Sequence, residues 1–581
     1  MGETRNTANI RAARDQLVRL ASEYDRAVDE FRWPEIGPTF NWATEWFDVI
    51  AEKNDRPALR IVEEDGSEAT YSFSDLSSRS DVVAGRLSAH GIQQGDRVMV
   101  MLGNQVELWE SVLALSKIGA VIVPGAVALG PAELRDRIAR ARISHVIANA
   151  TDTGKFDSVD GDYTRISVHG TETGAAGVDA PAGWASYSES PAAGADYIAA
   201  APAAADPLLV YFTSGTTNKP KMVEHTQTSY PVGHLSTMYW LGVRPGDVHL
   251  AISSPGWAKH AWSLIFAPWI AEATVFVYNY TKFDAATLAR ELDRAGVNTF
   301  CAPPTVWRML IQAHDVVRPR ALREVLSAGE PLNPEVISRI EEMWGLTIRD
   351  GYGQTEMTAS VANTPGTVVK PGSMGRPLPG VPVVLVDPAT GALGDEGEIC
   401  LDLAAHPFTL MTQYLDDPER NDEVMRGGFY HTGDLASRDE RGDITYIGRT
   451  DDVFKSSDYK VSPFEVESLL IEHPAVVEAA VVPAPHETRL TTPKAYIVLA
   501  EGWAPDEQTA RALFEHSAAT MPSYMRVRRI EFAELPKTVS GKIRRVDLRL
   551  REEAAHRDGI VRDGEWRVEQ MTAPNAGAAG R

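Results

Sequence analysis

The sequence predicts an α/β protein of two domains, a large one carrying a doubly wound parallel sheet and a small α/β one at the C-terminal end. Three observations predict it. At 581 residues the chain exceeds what one hydrophobic core can serve, and 44% hydrophobic residues supply material for two. Strand-like and helix-like apolar patterns alternate from about Arg56 onward, the signature of repeated β–α–β units. Beyond Asp452 a shorter α/β segment runs to near Arg551, and its charge balance is unlike that of the rest.

The chain opens with Ile10, Leu17, Leu20, Ala21, Tyr24, Ala27 and Phe31 at helical spacing, which predicts one amphipathic helix stopped by Pro34 and packed on the large domain. Next, Asp96–Leu102, Gln105–Ile118 and Ala120–Val123 read as strand, helix and strand. Residues 171–206, rich in Ala, Gly, Pro and Ser, read as a long surface connection. It delivers the chain to the stretch on which everything else turns.

That stretch is Thr213-Ser214-Gly215-Thr216-Thr217-Asn218-Lys219-Pro220-Lys221, entered from the apolar run Leu208–Phe212. Backbone N–H groups freed by glycine, hydroxyl donors and two lysines suit one anionic object, a polyphosphate. Pro220 between the lysines removes a backbone donor, so this is no Walker A loop. The same residues also suit a polar hairpin turn.

Further along, Trp257, Trp262 and Trp269 crowd around Gly256, Trp257 suiting the wall of an apolar pocket and Trp269 a core position. Lys259 and His260 share that segment, and Lys259 is expected to point to solvent. Ser327-Ala328-Gly329-Glu330-Pro331 and Asp350-Gly351-Tyr352-Gly353-Gln354-Thr355-Glu356 follow strand-like runs and let backbone approach a ligand closely. A carboxylate at Glu356, beside a phosphate loop, makes electrostatic sense with a hard cation such as Mg²⁺ between them; taken alone it suits a helix N-terminus better. In Tyr430–Asp434 and Tyr446–Asp452, Asp434 can accept two ribose hydroxyls and Arg449 can hold a ribose or phosphate oxygen. The last part is basic, with Arg526, Arg528, Arg529, Lys537, Lys542, Arg544 and Arg545 forming either a solvated face or cations for the polyphosphate.

A formal charge of −23 argues against nucleic-acid or anionic-membrane partners. The two cysteines, Cys301 and Cys400, read as buried small hydrophobes, and a reducing cytoplasm is expected. No apolar run reaches the roughly 18 residues of a spanning helix, and nothing at the N-terminus reads as a signal peptide.

With these segments in order, roughly from Phe40 to Arg551, the sequence resembles the adenylate-forming superfamily of acyl- and aryl-CoA synthetases, adenylation domains and luciferase. Pro220–His225, Gly351–Glu356 and Pro371–Gly375 look most like the medium-chain acyl-CoA synthetase branch. The resemblance implies a large multi-sheet N-terminal domain over 1–450, including a leading helix within 1–35, a small mobile domain over 451–560 and a disordered tail over 561–581. It implies an ATP-dependent acyl-CoA synthetase that activates a short- to medium-chain or aryl acid as its acyl-AMP and passes the acyl group to CoA. The alternative is transfer to a carrier-protein thiol or an amine; a catalytically dead nucleotide binder sits poorly with retention of both Glu356 and Lys542.

By position, the resemblance implies that Thr213, Ser214, Gly215, Thr216, Thr217, Lys219 and Lys221 hold the ATP phosphates. Gly329, Glu330, Pro331, Asp350, Gly351, Tyr352, Gly353 and Gln354 would surround the adenine, with Gly353 and Trp257 bounding the acyl pocket. Thr355 would touch the α-phosphate, Glu356 bind Mg²⁺, and Asp434 take the ribose with help from Arg449. Lys542 would bridge the acyl carboxylate and α-phosphate, and Asp451 would be the hinge. Ser456, Ser457, Asp458, Arg489, Ser523, Tyr524 and Arg526 would contact CoA. Asn218 and Met222 replace frequent glycines, and Asp458 replaces the glycine of Ser-Ser-Gly-Tyr, projecting a carboxyl toward the expected thiol path. The implied partners are the acid, ATP and CoA.

Overall fold

The computed structural model describes residues 3–169, 180–189, 197–213, 219–456, 459–486, 490–537, 543–560, 562 and 564–572. The chain divides into two compact units, Met1–Val383 with Leu401–Tyr430, and Val384–Cys400 with His431–Arg581.

In the first unit the expected β–α–β pattern is present: strands Arg97–Met101 and Val121–Pro124 pair in parallel, joined by the helix Val106–Ile118. Every residue of that helix is buried, so it lies between layers, and Gly119 in a left-handed conformation ends it. Among the described residues these strands belong to an eight-stranded sheet with, in spatial order, Gln413–Tyr414, Lys221–Thr226, Pro207–Thr213, Val121–Pro124, Arg97–Met101, His145–Asn149, Thr164–Val168 and Ala185–Ser186. A second, nine-stranded sheet has a parallel centre that includes Val248–Ala251, Thr299–Ala302, Glu324–Ala328 and Arg349–Gly353. One core packs Phe300, Trp307 and Trp344 against the second sheet; another packs Met99, Val123, Val210 and Phe212 against the first. Trp269 is fully buried and donates its indole N–H to Ala58 O at 3.1 Å, a core role as expected.

Two expectations need correction in this unit. The leading helix is two helices, Arg5–Arg19 and Tyr24–Glu30. Tertiary contacts interrupt it: Leu20 O accepts from the Tyr239 hydroxyl at 3.3 Å, and a Cβ on Gly366 would come within 2.7 Å of Ser22 Cβ. The stretch from 171 to 206 is not a plain surface connection. Ala185–Ser186 extends the eight-stranded sheet and Trp184 and Tyr187 are buried, the Tyr187 hydroxyl lying 3.0 Å from Ser111 Oγ. Residues 170–179 and 190–196 lie outside the described residues.

The second unit contains a four-stranded sheet of Val383–Val386, Glu396–Asp402, Phe429–Arg438 and Ile444–Arg449. It also contains a four-stranded sheet of Val476–His486, Leu490–Leu499, Arg529–Phe532 and Glu565–Arg567. The helices Pro463–Ile471 and Glu507–Thr520 contribute to the core against the latter. The strand Glu565–Arg567 and the helix Val568–Thr572 correct the expectation of a disordered 561–581 up to Thr572; residues 573–581 lie outside the described residues. Ile530 pairs with Trp566 in that ladder, and Lys494 Nζ reaches Glu531, Glu552 and Glu565 at 2.6 to 2.9 Å. A buried lysine among three carboxylates therefore fastens the last strand, which no local sequence pattern announces.

The basic run is largely spent inside this unit. Arg545 pairs with buried Glu467, Lys537 with Glu478, and Arg544 with Asp547. Lys537, Arg544 and Arg545 of the run are thus held in internal ion pairs. No helix among the described residues is long and apolar enough to cross a membrane.

Candidate active site

The phosphate stretch lies between two strands of a hairpin: Pro207–Thr213 and Lys221–Thr226 pair antiparallel, with Thr213 opposite Lys221. Ser214, Gly215, Thr216 and Thr217 lie outside the described residues, and Lys219 is exposed.

At the root of this hairpin Lys221 Nζ lies 3.2 Å from Glu356 Oε1 and 2.9 Å from the Tyr414 hydroxyl. Tyr414 gets there because Gln413–Tyr414 adds a strand beside Lys221–Thr226, with Tyr414 opposite Val223. Its hydroxyl, kept protonated by burial and by Glu356, lies 2.7 Å from Glu356 Oε1 and donates to it. Burial alone raises the Glu356 carboxyl, but the charge of Lys221 and the Tyr414 hydroxyl bring it net below the ordinary range. A buried, ionised, oxygen-only donor suits Mg²⁺, and Glu356 is the residue of this cluster that fits it. One residue back, Thr355 O accepts from His225 Nε2 at 2.8 Å; burial lowers His225 to about 4, so this imidazole is a neutral strut. Sequence reasoning missed Tyr414 and His225 as members of the site. His225 stands in a quoted motif, whereas Tyr414 carries no signal.

The two backbone-rich segments are adjacent strands, with Ser327 opposite Asp350 and Ala328 opposite Gly351. Both glycines of the second are sterically required: a Cβ on Gly351 would meet Trp240 at 2.4 Å, and one on Gly353 would meet Thr358 O at 2.4 Å and Trp262 at 2.6 Å. Asp350 is buried and accepts from its neighbour Gly351 N at 3.0 Å. Burial pushes its carboxyl up to about 8, against the pull of that N–H and of Lys259. Lys259 is not turned to solvent as expected. Its Nζ donates to Ala328 O at 2.9 Å, satisfied by a carbonyl far away in sequence. Gln354 Oε1 accepts from the Tyr430 hydroxyl at 3.1 Å, and Glu330 and Pro331 follow Gly329, whose φ is +102°.

Against the first sheet lies an apolar cavity of about 30 Å³, lined by Leu209, Tyr211, Gly256, Trp257, His260 and Phe266 among others; Trp257 lines it as expected of the acyl pocket, whereas Gly353 does not. Gly256 has φ +91° and its Cα faces Ala126 so closely that a Cβ would be 2.4 Å from Ala126 N. No side chain fits there, which fixes where Trp257 begins.

In the second unit Asp434 and Arg449 are register partners, with Arg449 Nη1 3.4 Å from Asp434 Oδ1 and the Tyr446 hydroxyl also 3.4 Å from it. The turn before Asp434 is set by Glu398, which accepts from Gly433 N at 2.7 Å and lies 2.7 Å from His431 Nδ1. Asp451 follows the strand Ile444–Arg449 and lies 3.5 Å from Arg449 Nε. Of the residues expected at CoA, Ser456 is buried, Tyr524 stacks on Tyr459 at 4.6 Å, Arg528 Nη2 reaches Ser523 O at 3.4 Å, and Arg526 donates to Met521 O at 3.1 Å. Ser457, Asp458, Arg489 and Lys542 lie outside the described residues.

A polar hairpin rooted on a lysine–carboxylate pair, flanked by glycine-bearing strand ends and an apolar cavity on a doubly wound sheet, defines an adenylate-forming enzyme. The AMP-binding enzyme family matches residues 46–415 and the AMP-binding enzyme C-terminal domain matches 465–542. The chain belongs to this family, and it is an AMP-forming acyl-CoA synthetase, an acid–thiol ligase using ATP, Mg²⁺ and CoA. It is 41% identical over 542 residues to 4-hydroxybutyrate–CoA ligase 1 of Metallosphaera sedula, covering 91% of this chain and 93% of that one. It is 37% identical to the mitochondrial acyl-coenzyme A synthetase ACSM3 of Rattus norvegicus, covering 93% and 95%. Among solved structures, the anthranilate CoA ligase AuaEII in complex with anthranoyl-AMP superposes with a TM-score of 0.80 at 27% identity, covering 90% of this chain and 99% of that one. A benzoate CoA ligase from Burkholderia xenovorans LB400 gives 0.75 at 26%, covering 88% and 100%.

Proposed function

We propose that this synthetase acts on short carboxylic acids in the cytoplasm, that Lys221, Glu356 and the hairpin handle the triphosphate, and that the cavity lined by Trp257 takes the acyl chain. The observation that carries the reading is the Lys221–Glu356–Tyr414 cluster at the hairpin root, which holds a cation beside a metal-type carboxylate. The small cavity and the name of the Metallosphaera sedula relative both support a short acid. The two buried thiols, Cys301 and Cys400, support a reducing compartment.

The chemistry needs such residues. An acyl carboxylate must attack the α-phosphorus of ATP, anion on anion, and two unit charges at ~4 Å repel by about 4 kcal/mol at an effective dielectric near 20. When bound at Glu356, Mg²⁺ supplies counter-charge to the phosphates. Lys221 adds a second cation, and Lys542 is assigned the bridge between the two anions. Asp434 and Arg449 are assigned the ribose, Gly329–Pro331 and Asp350–Gln354 the adenine, and Thr355 the α-phosphate. For the thiol step, Ser456, Ser457, Asp458, Arg489, Ser523, Tyr524 and Arg526 are assigned to CoA. The small domain, 451–560, is assigned the movement that exchanges one set of groups for the other about Asp451.

The test is pyrophosphate release with a panel of acids from two to ten carbons, with and without CoA. Expected are fastest turnover with acids of about three to six carbons and thioester only when CoA is present. Release that peaks at eight carbons or more overturns the short-acid assignment. Acyl-AMP that accumulates with CoA present overturns transfer to CoA in favour of a carrier thiol or an amine.

A further inference from the structure

The short helix Ala258–Ala261 sends neighbouring side chains in different directions. Lys259 reaches Ala328 O on the strand beside Asp350, while His260 lines the apolar cavity with Leu209, Tyr211 and Trp257. Leu209 and Tyr211 share one face of the strand that runs into the phosphate hairpin, so the cavity opens under that hairpin's first strand. Its volume of about 30 Å³ compares with the roughly 10 to 15 Å³ that one water requires, so it takes the end of a short chain and no more.

His260 is 3% exposed, and its Nε2 lies 3.1 Å from Asn104 Oδ1. A carbonyl oxygen only accepts, so Nε2 carries the proton and Nδ1 keeps a lone pair. Among the described residues nothing hydrogen-bonds to Nδ1. Burial lowers this imidazole to about 3, so it stays neutral and the lone pair stays available throughout the working pH range. An acceptor without a partner in an otherwise apolar wall costs stability unless a ligand supplies the donor. The remaining hydroxyl in the wall, that of Tyr211, sits against Tyr230.

We propose that His260 Nδ1 reads a hydroxyl near the far end of the acyl chain, which makes the substrate a short hydroxy acid and His260 its specificity-determining residue. This rests on the assignment of the Trp257 cavity as the acyl pocket. A methyl in place of the hydroxyl fills the same space but leaves Nδ1 unpaired, which favours the hydroxy acid by about tenfold for one net hydrogen bond.

The test compares 4-hydroxybutanoate with pentanoate, which have equal numbers of heavy atoms, by pyrophosphate release in wild type, His260→Leu, His260→Gln and Trp257→Gly. Expected is a wild-type kcat/KM about tenfold or more in favour of the hydroxy acid, a ratio near one or reversed in His260→Leu, and partial retention in His260→Gln, whose carbonyl keeps an acceptor. His260→Leu should keep the wild-type far-UV circular dichroism and melting temperature, which separates a changed hydroxyl ratio from a folding defect. A wild-type preference for pentanoate, or a ratio unchanged by His260→Leu, overturns the proposal. Equal loss on both acids with intact thermal melting assigns His260 a structural role and also overturns it. Trp257→Gly separates the underlying assignment: a length preference among butanoate, hexanoate and octanoate that ignores Trp257 removes the pocket reading and this proposal with it. A length preference that follows Trp257 while the hydroxyl ratio ignores His260 removes the proposal alone.

Discussion

Lys221 Nζ and Glu356 Oε1 stand 3.2 Å apart, and the Tyr414 hydroxyl touches both, at 2.9 and 2.7 Å. The pair joins the phosphate hairpin to the segment after the glycine-bearing strand, and Glu356 is almost wholly buried. Removing the lysine strands a buried carboxylate, which costs about 3 kcal/mol or more. Lys221→Met is therefore expected to unfold at clearly lower denaturant, and Glu356→Gln in the same chain to restore most of the loss. Additive effects in that double-mutant cycle would show that the two groups do not couple. The pH dependence has a fixed sign. Glu356 is depressed below its ordinary 4.5, so its contribution is present above that pH and is lost as the pH falls through the folded value. The stability gap between wild type and Glu356→Gln should close in acid.

Asp350 behaves in the opposite sense. Burial raises its carboxyl to about 8, so between pH 4 and 8 the folded state holds a proton that the unfolded state has released. That group makes stability fall as pH rises through the window. Asp350→Asn, which keeps the shape and cannot ionise, is expected to melt close to wild type near pH 4 and increasingly above it toward pH 8. A constant difference across the window would mean that Asp350 is ionised in the fold.

These two carboxyls show how far the sequence carries. Glycines beside a carboxylate and a lysine-rich loop are local patterns, so the hairpin, Glu356 and the strand order around Val98 and Ile122 were legible. Contacts between distant segments were not. Lys259 reads as a solvent lysine until Ala328 O is seen 2.9 Å away, and Tyr414 acquires its role through a two-residue strand pairing with Val223. The leading helix breaks near Leu20, whose carbonyl accepts from Glu23 N at 2.9 Å in a tight turn and from the distant Tyr239 hydroxyl at 3.3 Å. The last strand is invisible for the same reason, since Glu565 matters through Lys494.

Lys494 gives the next expectation. Burial alone lowers its pKa, but its hydrogen bonds to Glu552, Glu565 and Glu531 raise it overall, so the charge is firmly held. Lys494→Met would leave three buried carboxylates facing one another, and the cheapest relief is release of the strand Glu565–Arg567. Limited proteolysis is expected to cut between the helix Arg545–Arg557 and that strand in the variant and not in wild type. Equal resistance would place the strand's stability in the Ile530–Trp566 pairing instead.

Lys542 is assigned to cancelling the repulsion between acyl carboxylate and α-phosphate. Loss of about 4 kcal/mol corresponds to roughly a thousandfold in rate. Lys542→Ala is expected to lose acyl-AMP formation by that factor and to keep thioester formation from supplied acyl-AMP. Wild-type adenylation in the variant would remove the assignment.

Asp458 is expected to govern how freely the second step runs, because a carboxylate replaces glycine where the thiol is expected to enter. A bare carboxylate there repels an incoming thiolate, yet two lysines, Lys455 and Lys460, lie within three residues of it in sequence. Lys460 Nζ lies 4.0 Å from Glu396 at a well-exposed position, a distance that leaves little binding to give up if it turns to Asp458 instead. The expected result is thioester formation by wild type, with Asp458→Gly changing the KM for CoA by no more than a few fold. A further rise in KM on Lys460→Ala that Asp458→Gly abolishes would identify the lysine as the group that neutralises the carboxylate. Thioester from Asp458→Gly alone would mean that this carboxylate closes the channel, and the acyl-AMP would then belong to a carrier thiol or an amine.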